Sequence, residues 1–321
     1  MDKSRPQIVS AEASQEELAQ LAKSTGAEVV GRVIQNLPSP SHAYYLGRGK
    51  VTEIQALKDT LNYSVVIVDD ELSPLQQRNL EDALQVKVID RVALILDIFS
   101  RRAMTREGKL QVELAQHQYM LPRLAGQWSH LERLGGGIGT RGPGESQLET
   151  DRRLIRRRIQ HLEEQLEKVR TQRLLYRRRR ERSGIPIVAL VGYTNAGKST
   201  LLNALSQATV AAEDKPFTTL DPTTRRIRLY DGRTILLSDT VGFIRKLPPT
   251  IVSAFRATLE ELEDANLLLN IVDFSSPYAP EELHTVEGIL KDLKIIDKPR
   301  ITVLNKIDLL LEKNTKFSAA P

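Results

Sequence analysis

Two hydrophobic patterns divide the chain, with short apolar runs in its C-terminal part and helical spacing in its middle. Strand-like runs at 185–191, 234–238 and 300–304 each end in a cluster of glycine and polar residues. Runs of this length are typical of buried strands, and open α/β sheets bind ligands beyond the carboxyl ends of their strands. We therefore predict an α/β domain over residues 184–321.

Residues 1–100 alternate shorter strand-like and helix-like stretches, which predicts a small N-terminal α/β sheet domain. No group of residues in it forms a catalytic pattern. The segment 47–50 favours a strand-to-helix turn, because it lacks the spacing of a phosphate loop. The strand-like stretches are 28–34, 64–69 and 86–89, and the helix-like stretches are 51–61, 74–84 and 92–100.

Residues 101–183 carry the alternating four-and-three apolar spacing of a coiled-coil seam, in two separate sets. Two such helices joined by a glycine-rich connection predict an antiparallel helical hairpin in which each helix buries the seam of the other. The first set is Leu110, Leu114, His117, Leu121 and Leu124, and the second is Ile155, Ile159, Leu162, Leu166 and Val169.

The connection at the tip of this hairpin, residues 135–144, contains six glycines in ten residues. A bare turn is far shorter, so the segment is either a disordered surface loop or a probe that becomes ordered on a partner. Glycine backbones can enter narrow spaces that side chains would block.

The net charge of +5 conceals a strongly basic segment, because residues 151–183 hold 13 Lys or Arg against 5 Asp or Glu. Such a segment suits a phosphate-rich groove, since each contact with a phosphate releases counterions. The alternative is a solvated helix face. The run at 177–180 is the part that we least expect to be inert.

Composition narrows the class of protein. The chain has no cysteine, which excludes disulfides and thiolate metal sites. Its N-terminus does not resemble a signal peptide, and no apolar stretch reaches the roughly 18 residues of a membrane span. We therefore expect a cytoplasmic protein without a membrane span, and a monomer.

Residues 192–199 match the phosphate-loop pattern G-x-x-x-x-G-K-S between a predicted strand and a predicted helix. In such a loop the backbone N–H groups and the helix N-terminus converge on a phosphate anion. Lys198 is predicted to reach the β- and γ-phosphates, and Ser199 to bind Mg²⁺. The predicted nucleotide-binding residues here are Gly192, Tyr193, Thr194, Asn195, Ala196, Gly197, Lys198, Ser199 and Thr200.

A second motif follows at the end of the next strand-like run and consists of Asp239, Thr240, Val241 and Gly242. The carboxylate is predicted to hold Mg²⁺ through water, and the N–H group of Gly242 to sense the γ-phosphate. Because this motif follows the phosphate loop in the order of a nucleotide switch, the pair indicates a nucleoside triphosphatase.

Residues 305–308 resemble the guanine-reading motif of GTPases. The resemblance implies that Asp308 accepts hydrogen bonds from the guanine N1–H and exocyclic amine, which adenine lacks. Asn305 and Lys306 would brace the loop and the ring. The three motifs together predict a GTPase that binds GTP and GDP.

A threonine-rich loop at 216–225 is expected to be the first switch, in which one threonine closes on Mg²⁺. We favour Thr219, because its Thr-Leu pair resembles the switch of the Obg and HflX group of GTPases, with Thr218 as the alternative. Phe217 is predicted to lie beside the nucleotide. The residues expected to act in catalysis are Lys198, Thr219 and Gly242.

Phe243 occupies the position where many GTPases carry the glutamine that orients the attacking water. A phenyl ring cannot do this, so we expect slow intrinsic hydrolysis and a partner that supplies the missing positioning. In similar GTPases an asparagine placed like Asn195 helps to hold K⁺ beside the phosphates. A loop-shaping hydrogen bond is the equal alternative for Asn195.

Further specific motifs lie outside the nucleotide-binding segments, at 45–50, 73–80, 90–91, 94–102, 108–115, 135–144 and 149–153. With them the chain resembles the HflX family of GTPases over essentially its whole length. The resemblance implies binding to the large ribosomal subunit and its rRNA, with the hairpin and glycine-rich loop inserted toward the peptidyl-transferase region. It also implies splitting or rescue of stalled ribosomes under stress.

The family continues past the guanine motif into a Ser-Ala-Lys loop, a last strand and helix, and a small C-terminal domain, whereas this chain stops at Pro321. Ser318 and Ala319 lie too close to Asp308 to leave room for the intervening helix, so we treat them as a coincidental match. We expect a truncated or naturally shortened GTPase with weaker guanine binding and a less stable GTPase domain.

Three regions are therefore expected, at 1–100, 101–183 and 184–321, the last one an incomplete GTPase domain. A second class of function stays open, an RNA-binding or chaperone-like module in which the nucleotide is mainly a structural ligand. Strong stimulation of GTP hydrolysis by ribosomes is expected only of the GTPase switch.

Overall fold

The computed structural model describes residues 11–124, 143–182, 184–206, 216–217, 219–246, 251 and 256–310. Thr218, most of the glycine-rich segment, Ser318 and Ala319 lie outside these residues, so the predictions made for them stay predictions. The chain divides into two compact units. The N-terminal unit holds Ser10–Ser100 with Leu110–Glu167, and the C-terminal unit holds Arg101–Lys109 with the chain from Lys168 onward.

Helices surround a two-stranded parallel sheet in the N-terminal unit. Its elements are α1 (Ala11–Ser24), α2 (Arg48–Ala56), α3 (Lys58–Leu61), β1 (Val65–Val68), α4 (Pro74–Leu84), β2 (Lys87–Asp90) and α5 (Arg91–Arg102). Helix α4 begins where the sequence favours it, because Ser73 and Gln76 form a reciprocal capping box and Pro74 occupies the first position. Buried apolar residues of α2, α4 and both strands form one core cluster.

The strand predicted for residues 28–34 is not formed, and the segment runs without a ladder partner. Side chains form hydrogen bonds in and next to this segment. Gln15 donates a hydrogen bond to the carbonyl oxygen of Val33 at 2.7 Å, and Gln35 accepts one from the N–H group of Gly47 at 2.9 Å. The carbonyl oxygen of Val33 is therefore paired without a third strand.

A buried ionic network stabilises the N-terminal unit around Asp90, whose side chain is fully buried. Asp90 accepts hydrogen bonds from the N–H groups of Leu72 and Ala93, from Tyr119 Oη at 2.9 Å and from Arg123 at 3.1 Å. Burial beside this charge raises the pKa of the Tyr119 hydroxyl above its usual value. The hydroxyl therefore stays a donor to the carboxylate.

Arg91, the residue after Asp90, is 1% exposed and pairs with Asp69 at 2.7 Å and with Glu17. The Asp-Arg pair at 90–91 therefore anchors α5 to α1 and to the end of β1. A buried guanidinium is tolerated only when such carboxylates compensate its desolvation.

The two long helices of the middle region are α6 (Arg106–Met120) and α7 (Pro143–Arg182). In α7 the predicted seam is confirmed, because Ile155, Ile159, Leu162, Leu166 and Val169 are all half-buried or buried on a mostly exposed helix, and Leu162 is fully buried.

The seam predicted for α6 is wrong in part. The buried apolar side chains of this helix are those of Leu110, Val112, Ala115 and Tyr119, whereas Leu114 and His117 are only half-buried. The reason lies in long-range contacts, because Tyr119 reaches Asp90 and draws this face of α6 against the N-terminal unit.

A five-stranded sheet forms the centre of the C-terminal unit, with the strand order β4-β5-β3-β6-β7. All neighbouring strands are parallel except β4, which is antiparallel to β5. Its elements are β3 (Ile187–Gly192), α8 (Lys198–Ser206), β4 (Thr223–Arg228), β5 (Thr234–Asp239), α9 (Arg256–Asp264), β6 (Leu267–Asp273), α10 (Ala279–Asp292) and β7 (Arg300–Asn305).

The central strand β3 fixes the position of the sheet in the core. Ala189, Leu190 and Val191 are fully buried, and Leu202 of α8 packs against the same cluster as Leu237 of β5. The predicted mixed α/β class is confirmed, and the strands predicted at 185–191, 234–238 and 300–304 are all present. No helix in the described part of the chain is long and apolar enough to span a membrane.

Candidate nucleotide site

A tight loop connects β3 to α8 and positions the residues of the phosphate-loop motif. A Cβ on Gly192 would lie 2.3 Å from the carbonyl oxygen of Ile271, so β3 approaches β6 there at a distance that only glycine permits. Asn195 and Gly197 have φ angles of 61° and 97°, in the left-handed region that asparagine and glycine tolerate. These residue types therefore shape the loop.

Lys198 is the first residue of α8, and its side chain is buried inside the loop. Its ammonium group donates to the carbonyl oxygens of Tyr193 at 2.7 Å and Gly192 at 3.2 Å. Burial lowers the pKa of Lys198 from 10.5 to about 8, and the charge of Asp239 acts in the opposite direction. A phosphate anion beside this lysine would favour its charged form.

The three residues predicted to bind Mg²⁺ meet at one point. Ser199 Oγ lies 2.7 Å from Thr219 Oγ1 and 2.6 Å from Asp239 Oδ2, and Thr219 Oγ1 lies 2.8 Å from the same carboxylate oxygen. The other oxygen of this buried carboxylate, Oδ1, has no partner among the described residues. Two hydroxyls and a carboxylate with a spare oxygen fit a divalent cation that prefers oxygen ligands.

The first switch loop is anchored on both sides of Thr219. The N–H group of Phe217 donates to Thr194 Oγ1 at 2.9 Å, and both Phe217 and Leu220 are buried. Thr219 is the threonine that lies beside Ser199 and Asp239, while Thr218 lies outside the described residues.

The second switch motif leaves β5 and passes close to the phosphate loop. Thr240 donates from Oγ1 to the carbonyl oxygen of Leu190 at 2.6 Å, which ties β5 to β3. A Cβ on Gly242 would lie 2.6 Å from Thr194 Cα and 3.0 Å from Lys198 Nζ. Glycine is therefore required at 242 for the two segments to approach each other.

An open cavity of about 360 Å³ lies between these segments. Its lining comes from the phosphate loop, the start of α8 and the two switch segments, and every lining residue belongs to the set predicted from the sequence. Gly192, Ala196 and Val241, which were also predicted, are buried and do not line the cavity.

Phe243 does not line this cavity. Its side chain is 3% exposed, and its backbone continues the sheet by pairing with the phosphate loop. The N–H group of Phe243 donates to Gly192 at 3.1 Å, and its carbonyl oxygen accepts from Thr194 at 2.7 Å. The residue at the usual glutamine position is therefore part of the core.

The guanine motif at the end of β7 is linked to the phosphate loop through Asn305, whose amide donates to the carbonyl oxygen of Ala196 at 2.9 Å. Lys306 pairs with Asp273 at 2.7 Å. Burial acts to raise the pKa of Asp273, but hydrogen bonds from Lys306 and Ser275 outweigh it and hold the pKa below its usual value. Asp308 is exposed at the start of a helical turn.

Sequence reasoning missed Arg245, which is 5% exposed although it is charged. Its N–H group donates to Tyr193 Oη at 3.0 Å, and its guanidinium lies 5.8 Å and 5.7 Å from the ring centres of Tyr193 and Tyr278. These contacts link the phosphate loop, the second switch and the segment before α10. No local pattern signals a contact between residues 52 positions apart.

This site defines a P-loop GTPase, because it combines the strand order of the sheet, the phosphate loop and the convergence of both switch segments. Models of three protein families match the chain in succession. They are described as GTP-binding GTPase N-terminal, at residues 12–100, GTP-binding GTPase Middle Region, at 102–180, and 50S ribosome-binding GTPase, at 187–306. Members of the HflX family of GTPases are about half identical to this chain over nine-tenths of its length, so the chain belongs to that family.

Relatives in this family are similar over most of the chain. GTPase HflX of Caldanaerobacter subterraneus subsp. tengcongensis is 55% identical over 92% of this chain and 69% of its own length. GTPase HflX of Escherichia coli K12 is 48% identical over the same shares. Among solved structures, the complex of SsGBP with GDP is 29% identical, with a TM-score of 0.51, and covers 97% of this chain and 88% of that one.

Proposed function

We propose that this chain is a GTP phosphohydrolase that binds the large ribosomal subunit and couples GTP binding and hydrolysis to ribosome splitting or rescue under stress. The observation that carries the GTPase switch is the meeting of Ser199, Thr219 and Asp239 at one point. Each comes from a different motif, and a switch that senses the γ-phosphate needs all three motifs together. The cytoplasm, where ribosomes work, is the proposed location.

Ser199, Thr219 and Asp239 are the proposed magnesium residues. The unsatisfied Oδ1 atom of Asp239 supports this role, because a buried carboxylate oxygen without a donor is costly unless a cation or its water compensates it. Bound Mg²⁺ would neutralise charge on the β- and γ-phosphates during hydrolysis. Lys198 would contribute a second positive charge from within the phosphate loop.

Guanine recognition is the proposed role of the segment at the end of β7. Asn305 holds the loop and Lys306 is held by Asp273, which leaves the exposed carboxylate of Asp308 for the base. A carboxylate can accept from both the N1–H and the amine of guanine, whereas adenine offers no such pair of donors.

A partner is proposed to complete the catalytic site. The phenyl ring of Phe243 carries no group that orients water, and its burial keeps it in the core. Hydrolysis by the isolated chain is therefore expected to be slow. Asn195 lines the cavity, and its side-chain amide is the proposed K⁺ ligand beside the phosphates.

The basic helix α7 supports ribosomal RNA as that partner. A 40-residue helix spans about 60 Å, long enough to reach well beyond one domain. Arg153, Arg156 and Arg157 are exposed on it, and such side chains can neutralise phosphates along a groove. The chain is proposed to act as a monomer, with three functional regions at 1–100, 101–183 and 184–321.

GTP hydrolysis by this chain, measured with and without purified large ribosomal subunits, tests the proposal. A deletion of 135–144 and the double substitution Arg156→Gln/Arg157→Gln are measured in parallel. Stimulation by subunits that both changes reduce would support a ribosome-activated switch. The matched control is Lys291→Gln/Lys294→Gln, which removes two exposed cations from the C-terminal unit and should leave stimulation unchanged.

No stimulation in a chain that binds GTP would contradict the ribosome-activated switch and favour an RNA-binding or chaperone-like module. If the lysine control loses as much stimulation as the arginine variant, the effect depends on the total charge of the protein and not on the arginines of α7. Splitting of whole ribosomes into subunits is measured by sedimentation, with GTP or a non-hydrolysable analogue. This measurement distinguishes ribosome binding from ribosome splitting.

A further inference from the structure

Asp221, two residues after Thr219, binds the beginning of α6. Its Oδ2 atom accepts hydrogen bonds from the backbone N–H groups of Met104 and Thr105, both at 2.8 Å, and Thr105 Oγ1 donates to its Oδ1 atom. The partners are 116 and 117 positions apart in the sequence, yet all of them belong to the C-terminal unit. The first switch is therefore fastened to a helix outside the 187–306 segment matched by the ribosome-binding GTPase model.

The same contact organises the first turn of α6. Thr105 caps the helix, because its Oγ1 atom accepts a hydrogen bond from the N–H group of Gly108 at 3.0 Å. A Cβ on Gly108 would lie 2.3 Å from Asp221 Oδ1. The absence of a side chain at 108 is what gives the carboxylate room to reach the cap.

The short segment from Thr219 to Asp221 has little freedom once Asp221 is held. Leu220 between them is 6% exposed, and Pro222 restricts the backbone of the residue before it. Fixing Asp221 therefore fixes Thr219 beside Ser199 and Asp239.

We propose that Thr105 and Gly108 are positioning residues for GTP hydrolysis, which act through Asp221 to hold Thr219 in its metal-binding position. The inference rests on the proposed role of Thr219 at Mg²⁺. Switch loops are ordered by the γ-phosphate and Mg²⁺. The first turn of α6 would therefore help to stabilise the GTP-bound conformation of the first switch. GDP binding, which does not use this contact, should not depend on Thr105 or Gly108.

The substitution Gly108→Ala separates positioning from helix stability, because alanine favours a helix more than glycine does but here would displace Asp221. We expect kcat for GTP to fall about tenfold, the size of one lost hydrogen bond to a charged group, with GDP affinity unchanged. The matched control is Gly288→Ala in α10, where a Cβ would meet nothing within 4 Å. This control should be as stable as the parent or more so, with parent turnover.

Thr105→Val and Thr105→Ser form the second pair. Valine keeps the shape of threonine without the hydroxyl, and it should lower kcat and the preference for a GTP analogue over GDP. Serine retains the hydroxyl and should restore both quantities. A purely structural cap would lower the melting temperature in the valine variant without changing this preference.

Two different failures are distinguishable. In the first, the parent chain hydrolyses GTP, and the Gly108→Ala and Thr105→Val variants have the same kcat and the same nucleotide preference as the parent. This result would overturn the positioning inference alone. A parent chain that does not hydrolyse GTP under any condition would contradict the proposed function, and the inference with it. A fall in kcat together with an equal fall in GDP affinity would also overturn positioning, since it indicates general damage to the site.

Discussion

Asn305 donates a hydrogen bond from its side-chain amide to the carbonyl oxygen of Ala196 at 2.9 Å, so the guanine motif and the phosphate loop hold each other in place. A Cβ on Gly197 would lie 2.2 Å from that amide nitrogen, which shows how closely the two segments approach. Two motifs separated by 109 positions are thus in direct contact.

Replacing Asn305 by alanine should weaken GTP and GDP binding to the same degree. The lost bond leaves a carbonyl oxygen without its donor, which costs about 1–3 kcal/mol when the group is buried. Calorimetric titration with both nucleotides measures the effect. Asn266→Ala is the matched control, because Asn266 accepts from the N–H group of Ile187 and should affect thermal stability but not affinity. Loss confined to GTP would contradict this account.

Replacing Gly242 by alanine should prevent the close approach of the second switch motif to the phosphate loop. The new methyl group would lie 2.6 Å from Thr194 Cα, a backbone atom that cannot move aside without displacing the phosphate loop. We expect turnover to fall at least about tenfold, because the displaced phosphate loop and Lys198 would no longer be correctly placed for the transition state. Gly49→Ala in α2, where a Cβ meets nothing within 4 Å, should leave turnover unchanged.

Introducing glutamine at position 243 should not accelerate hydrolysis. Phe243 is 3% exposed and does not line the cavity, so the amide would be buried in the core instead of reaching a water molecule. Burying an unpaired amide costs about 1–3 kcal/mol by mutational measures, and stability should fall accordingly. Phe243→Leu serves as the apolar control. A faster Phe243→Gln variant of parent stability would show that the side chain reaches the phosphates.

Turnover should be faster in KCl than in NaCl at equal ionic strength if Asn195 helps to hold K⁺. Replacing Asn195 by alanine should remove the difference between the two salts. The test compares the ratio of the rate in KCl to the rate in NaCl between the parent and the Asn195→Ala variant. General damage to the loop lowers both rates of the variant and leaves this ratio unchanged. Equal rates in both salts for the parent would leave Asn195 with the loop-shaping role alone.

Replacing Arg123 by methionine should destabilise the N-terminal unit by about 3–5 kcal/mol, because Asp90 would remain buried without its counterion. Urea denaturation gives the free energy of unfolding. Arg78→Met is the control, since its ion pair with Asp82 is exposed and long, at 3.8 Å, and exposed pairs contribute less than about 1 kcal/mol. Similar losses in both variants would contradict the difference in burial.

Local sequence determined the type of fold and the nucleotide motifs. Phosphate loops, switch motifs and the seam of α7 follow from residue types within a few positions of each other, which a single sequence displays directly. The less exposed stripe at Ile155, Ile159 and Leu162 was predictable because α7 is long and its spacing regular.

Only the tertiary structure decided which residues far apart in the sequence are in contact. The face of α6 that is buried depends on Tyr119 meeting Asp90, and the attachment of the loop after Thr219 to the start of α6 comes from Asp221 meeting Thr105. In the same way the burial of Phe243 follows from its pairing with the phosphate loop. Such contacts join positions far apart in the chain, and their free energies appear only when the whole core assembles, so no local pattern encodes them.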